Sequence, residues 1–168
     1  PRGCLVALAA GAALPLSFAP FGFWGFAPLL MALLFLLVEG GSGRERARRG
    51  FWFGVGSFST GTYWLYISIH DFGGVAPPIA VALCGALILL MAVYLAAWGL
   101  LTGMVGRRQP AWQLLAVLPA SWVGVEWLRG WLFSGFPWLS LGYGQIDGPL
   151  GAWAPVAGVH GVSLLVAL

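Results

Sequence analysis

The sequence predicts an all-α fold, a polytopic transmembrane helical bundle of about six membrane segments. Three observations carry this. Of 168 residues, 60% are hydrophobic and 8% charged, whereas a soluble domain needs roughly 25% charged residues to face water. Mean hydropathy is +0.91. The few charges are gathered between long uncharged runs, as polar links between apolar spans would be. The net charge of +3 comes from clustered arginines, without the basic and aromatic alternation that tracks nucleic acid. A lipid bilayer, and not nucleic acid, is therefore the expected partner. Cys4 and Cys84 lie in apolar context, with no CxxC pair and no His partners at metal spacing. They read as small buried hydrophobes, not a disulfide, and neither metal nor cofactor is expected.

Taken in order, residues 3–38 carry no charge and are too many for one straight span. Pro15, Pro20, Gly22, Gly25 and Pro28 interrupt them, which predicts a helical hairpin of spans 3–18 and 24–38 with a turn near 17–28. Each arm is shorter than the ~20 residues a span needs, so tilting or interfacial burial of the turn is expected. Arg2 before an apolar run imitates a signal peptide. No small-residue cleavage site accompanies Leu14-Pro15-Leu16, and further apolar segments follow at once, so this is read as the first span. Residues 39–49 are read as a polar loop, with Arg44, Arg46, Arg48 and Arg49 against Glu39 and Glu45. Span 51–69 closes on His70-Asp71 and Gly73-Gly74. Pro77-Pro78 suits the first turn of a long helix over 77–105, ended by Arg107-Arg108-Gln109-Pro110. Span 111–128 has Glu126 near its far end and Arg129 just beyond. An aromatic and Gly-rich loop, 130–149, precedes the last segment, 151–168. Pro1 in place of Met, and Leu168 inside an apolar run, read as cut ends.

Cytoplasmic loops concentrate arginine and lysine. The clusters at 44–49 and 107–108 lie two spans apart, hence on one side, and Arg2 joins them. This predicts a cytoplasmic N-terminus and external positions for the 17–28 turn, the 70–78 loop and the 130–149 loop. Gly50/Gly54 and Gly99/Gly103 make GxxxG pairs, and Ser57/Gly61 a small-xxx-small pair, spacings that let helix backbones approach closely in lipid.

Charges within membrane segments are costly and commonly paired. Glu126 and Arg129 stand one turn apart on one helix face. They read either as a polar anchor that holds the external loop or binds a lipid headgroup, or as a structural pair fixing the helix. In the 130–149 loop, Trp131, Phe133, Phe136, Trp138 and Tyr143 alternate with Gly135, Pro137, Gly142, Gly144 and Gly148. Such density suits a shaped apolar surface where a lipid chain lies; the plainer alternative is an interfacial aromatic belt. Ser57, Ser68, His70, Asp71 and His160 invite a hydrolase reading, but Ser57 sits in no nucleophile elbow. Ser68 and His70, two apart, point to different faces, and His70-Asp71 reads better as a loop cap or docking contact.

Certain runs resemble the membrane domain of bacterial apolipoprotein N-acyltransferases. They are Glu126-Trp127-Leu128-Arg129-Gly130-Trp131, Gly135-Phe136-Pro137-Trp138-Leu139, and Gly142-Tyr143 with Gln145 and Asp147-Gly148-Pro149-Leu150. Phe18-Ala19-Pro20-Phe21, Tyr66-Ile67-Ser68-Ile69-His70-Asp71-Phe72-Gly73 and Ala154-Pro155-Val156 with Gly158-Val159 agree too, in order along nearly the whole chain. One departure is Gly144, where that family more often has Ser. The resemblance implies a bacterial inner-membrane acyltransferase. It would move an acyl chain from a phospholipid donor to the N-terminal cysteine of a diacylated apolipoprotein. It also implies a nitrilase-like domain with a Glu-Lys-Cys triad, in which thiolate, carboxylate and cation act together. This chain has no lysine, and neither cysteine falls in a predicted external loop, so that domain is read as absent here and the chain alone as inactive. No catalytic residue is assigned within it. The role left to it is positioning lipid and substrate, with Glu126, Arg129, Phe136, Trp138, Tyr143, Gln145 and Asp147 as candidates. The alternatives are a small polytopic transporter or lipid flippase, for which no internal repeat is evident, and a structural subunit that only packs against partners.

Overall fold

The computed structural model describes residues 2–104 and 110–168. Arg107, Arg108 and the end of the expected 77–105 span lie outside the described residues. Among the described residues the chain is helical without strands, as the all-α reading requires.

Helix α1, Arg2–Ala13, tightens into a 3-10 turn over Leu14–Ser17, where Pro15 has no N–H for the α ladder. After a turn, α2 spans Phe26–Val38; its Pro28 falls in the first helical turn, where a missing N–H costs nothing. The expected polar loop 39–49 is corrected here. It is a short link, and α3 begins inside the arginine cluster, at Gly43, and runs to Gly61. The reason is a capping box: Ser42 N donates to Glu45 Oε2 at 2.8 Å, and Glu45 N to Ser42 Oγ at 3.4 Å. The expected span 51–69 is likewise broken near Thr62, whose φ of −121° leaves the helical region. A short α4, Trp64–Ile67, and a π turn, Ser68–Phe72, follow.

Helix α5, Pro77–Met104, has 28 residues, about 42 Å at the helical rise. The next helical stretch joins α6, Pro110–Trp112, a π turn, Gln113–Val117, and α7, Leu118–Arg129. Pro119 gives no hydrogen bond to the preceding turn, which widens there. Residues 130–148 are irregular with short 3-10 turns. A further 3-10 turn, Pro149–Trp153, leads into α8, Ala154–Ala167, kinked at Gly158.

Helix α3 is central. Against α1, a Cβ on Gly11 would lie 2.1 Å from Phe53 O; against α5, one on Gly50 would lie 2.2 Å from Leu95 O, and one on Gly99 2.4 Å from Arg46 O. Backbones touch where side chains are missing. Trp98 and Trp122 meet edge-on at 5.4 Å in the core, flanked by Phe35 and Phe53. Outward faces of α5 stay apolar and exposed, at Val81, Val93 and Leu101 for example. Two helical stretches are long and apolar enough to cross a membrane, Pro77–Met104 and Pro149–Ala167; Arg2–Ser17 and Phe26–Val38 are apolar but shorter. Length and composition thus single out two spans among the described residues, not the six expected. The difference has a physical source: α3 opens on arginines, and the helical stretch through α7 carries Gln113, Glu126 and Arg129.

Candidate functional site

The candidate residues gather where α1, α3 and α7 finish, at the end of the bundle away from the arginine cluster. Trp122, Glu126 and Arg129 recur every three or four residues of α7 and so share one stripe, which is buried. Glu126 Oε1 accepts the Trp122 indole N–H at 3.0 Å and the backbone N–H of Leu141 at 2.9 Å. The Arg129 guanidinium donates to the carbonyl of Trp138 and stands 5.1 Å from the Phe58 ring centroid, within cation–π range. Between these anchors lies Leu139, at a left-handed φ of 61° that L-residues rarely adopt. So α7 holds the carbonyl just before the strained residue and the amide two residues after it. The Leu139 side chain is seated against Gly61, where a Cβ would approach its Cδ1 to 2.6 Å.

Upstream, Phe133, Ser134 and Gly135 also have left-handed φ, and Phe136 N–H returns to the Arg129 carbonyl at 2.7 Å. Strained backbone that persists is over-determined by its surroundings, and such strain collects at functional sites. Around Leu139 the surroundings are a buried carboxylate and a buried guanidinium.

This bracing displays aromatic rings. Trp138 is 46% exposed, yet its indole donates to Gly61 O at 3.2 Å and its ring lies 4.9 Å from that of Trp64. Phe136 stands 6.5 Å from Trp138 and 6.4 Å from Phe58. The structure therefore brings Glu126, Arg129, Phe136 and Trp138 together. Gln145 is buried, and its Nε2 donates to Trp24 O at 3.1 Å, tying the loop to the turn after α1. Tyr143 and Asp147 are exposed and are not among the hydrogen-bond partners of Glu126 or Arg129. Sequence reasoning missed Trp122, Trp64, Phe58, Gly61 and Leu139. Trp122 was open to detection, four residues before Glu126 on one face. The others join only through tertiary approach.

The hydrolase candidates do not assemble. Ser57 Oγ donates to Phe53 O at 2.9 Å. The His70 ring is bonded through Nδ1 to Val75 O at 2.7 Å, with Nε2 3.8 Å from Asp71; His70 thus closes its own turn. Among the described residues no group of three metal-ligating side chains is present.

Residues 10–168 match the family model described as the apolipoprotein N-acyltransferase N-terminal domain. Curated relatives named apolipoprotein N-acyltransferase are 42% identical in Photobacterium profundum, over 98% of this chain and 32% of the relative. In Methylococcus capsulatus the identity is 42%, over 99% of this chain and 33% of the relative. In Azotobacter vinelandii it is 44%, over 99% and 32%. The chain spans about a third of the length of these relatives. The matched region holds every residue of the braced aromatic loop, and the chain belongs to the apolipoprotein N-acyltransferase N-terminal domain family.

Proposed function

We propose that this chain is the lipid- and substrate-positioning membrane part of a longer apolipoprotein N-acyltransferase in the bacterial inner membrane. That enzyme transfers an acyl chain from phospholipid to the N-terminal cysteine of a diacylated apolipoprotein. The chemistry belongs to a nitrilase-like domain outside this sequence, so the chain by itself transfers nothing. The bundle crosses the membrane in about six segments, short ones tilted or partly interfacial. The N-terminus and the arginine cluster are cytoplasmic, and the aromatic loop is external.

One observation carries the reading: Trp138 is a half-exposed indole held on three sides. Its carbonyl is bonded to Arg129, its N–H to Gly61 O, and its ring packs on Trp64. A large apolar face fixed before any ligand arrives costs little ordering on binding, and it suits an acyl chain whose ester lies at the interface. Phe136 extends that face. Tyr143 and Asp147, exposed elsewhere on the same loop, offer polar groups to the substrate, and Glu126, Arg129 and Gln145 hold the loop in place rather than touching lipid.

The test is Trp138→Ala in the intact enzyme, scored by lipoprotein N-acylation in cells and by abundance in the membrane fraction. The expected outcome is acylation reduced about tenfold, ~1.4 kcal/mol of lost transition-state stabilisation, at normal abundance. Normal acylation would reduce the loop to an interfacial belt, and parallel loss of abundance would make Trp138 a packing residue.

A further inference from the structure

Glu126 spends one carboxylate oxygen on the loop and leaves the other without a protein donor. Oε1 takes both N–H groups described above, while Oε2 is buried and accepts from no protein group. Glu126 as a whole is 2% exposed. A buried carboxylate oxygen with no donor is expensive. Beside it lies a cavity of about 10 Å³ whose walls include Glu126, Arg129 and Ser57 among apolar side chains such as Leu14, Phe53 and Leu95.

Three features of that cavity match what a buried water requires. Its size is that of one molecule, which needs roughly 10–15 Å³. Besides the Trp122 indole, whose N–H is spent on Oε1, the polar side chains lining it number three, the usual coordination of buried water. Their chemistry is complementary: Glu126 Oε2 accepts, Arg129 donates, and Ser57 Oγ, whose proton goes to Phe53 O, keeps lone pairs to accept. Glu126 and Arg129 share a helix face, yet each sends its direct hydrogen bonds elsewhere.

We propose that one water molecule is bound here, bridging Glu126 Oε2 to Arg129 with Ser57 as third partner. The two charges then form a water-mediated ion pair at the root of the aromatic loop. The water completes the carboxylate's coordination while leaving Oε1 free for Leu141, so loop bracing and charge pairing do not compete for one oxygen.

The test is a structure of the intact protein in lipid nanodiscs, at a resolution that shows ordered water. The expected result is one peak within hydrogen-bond distance of both Glu126 and Arg129. An empty cavity would overturn the proposal, as would a guanidinium seated directly on Oε2. Proton-detected NMR gives an independent reading: the Trp122 indole N–H should show a cross-peak to a long-lived water. Its absence, with the indole signal itself resolved, would also count against the bound water.

Discussion

Each end of the bundle buries an arginine, and the two are held in different ways. At one end Arg46, 1% exposed, donates to Gly41 O at 3.0 Å, Thr102 O at 3.2 Å and Gln113 Oε1 at 3.3 Å. Gly41 lies in the link before α3, Thr102 on α5 and Gln113 in the π turn before α7, so the cation ties three elements together. Gly99 and Gly103 of α5 lie against α3 beside it. At the other end Arg129 donates to a carbonyl within an irregular loop and faces an aromatic ring, one turn from a buried carboxylate. The first arginine locks helix to helix. The second holds a strained segment open to the surface. Burial of a charge is thus no guide to function by itself; what the charge holds, and whether that element is displayed, separates scaffold from site.

Variants should separate the ends by one quantity, activity per molecule of membrane protein. The largest effect is expected from Gly50→Val, whose side chain would start 2.2 Å from Leu95 O. Helices α3 and α5 could not close, and immunoblots of the membrane fraction should show little protein. Next comes Arg46→Met, which removes three buried hydrogen bonds at the scaffold end. A loss of about 3 kcal/mol or more should appear as a lower Tm, while the surviving molecules keep their specific activity. A fall in specific activity there would break the comparison.

Glu126→Ala should be intermediate in stability and severe in function. It strands the Trp122 indole and the Leu141 amide, at about 1–3 kcal/mol for each unsatisfied group, and releases the loop. Glu126→Gln keeps an amide oxygen for both donors and should recover most of the stability. Equal Tm losses for the two variants would show that the hydrogen bonds to Oε1 do not matter. The smallest perturbation is a labelling pair, Arg44→Cys and Ser134→Cys, in a background without Cys4 and Cys84. Both positions are exposed. An impermeant thiol reagent added outside cells should modify the second and spare the first; equal modification would refute the proposed orientation.

Much of this was legible in the sequence. Low charge and long apolar runs gave an all-helical protein, and Pro77-Pro78 marked the start of α5. The glycine spacing marked helices whose backbones meet. Glu126, Arg129, Phe136 and Trp138 were readable as a group because they fall within a single short stretch. The start of α3 was also readable, through Ser42 and Glu45 three residues later, but the arginines between and after them suggested a loop. Burial of Arg46 was not readable, since its acceptors lie 56 and 67 positions away at Thr102 and Gln113. Nor was the support of Trp138 by Gly61 and Trp64, which requires α3 to end beside the loop. Local chemistry shows in sequence, whereas coordination completed across the chain does not.

The central claim is that the aromatic end meets the acyl chain and the arginine end does not. The most direct measurement uses a phospholipid with a photoreactive group on its acyl chain, bound to the intact enzyme and irradiated. Peptide mapping should then place label within residues 136–147, with Trp138→Ala reducing it severalfold, and leave residues 43–61 unlabelled. Label absent from 136–147, or unchanged by Trp138→Ala at equal protein, would contradict the account.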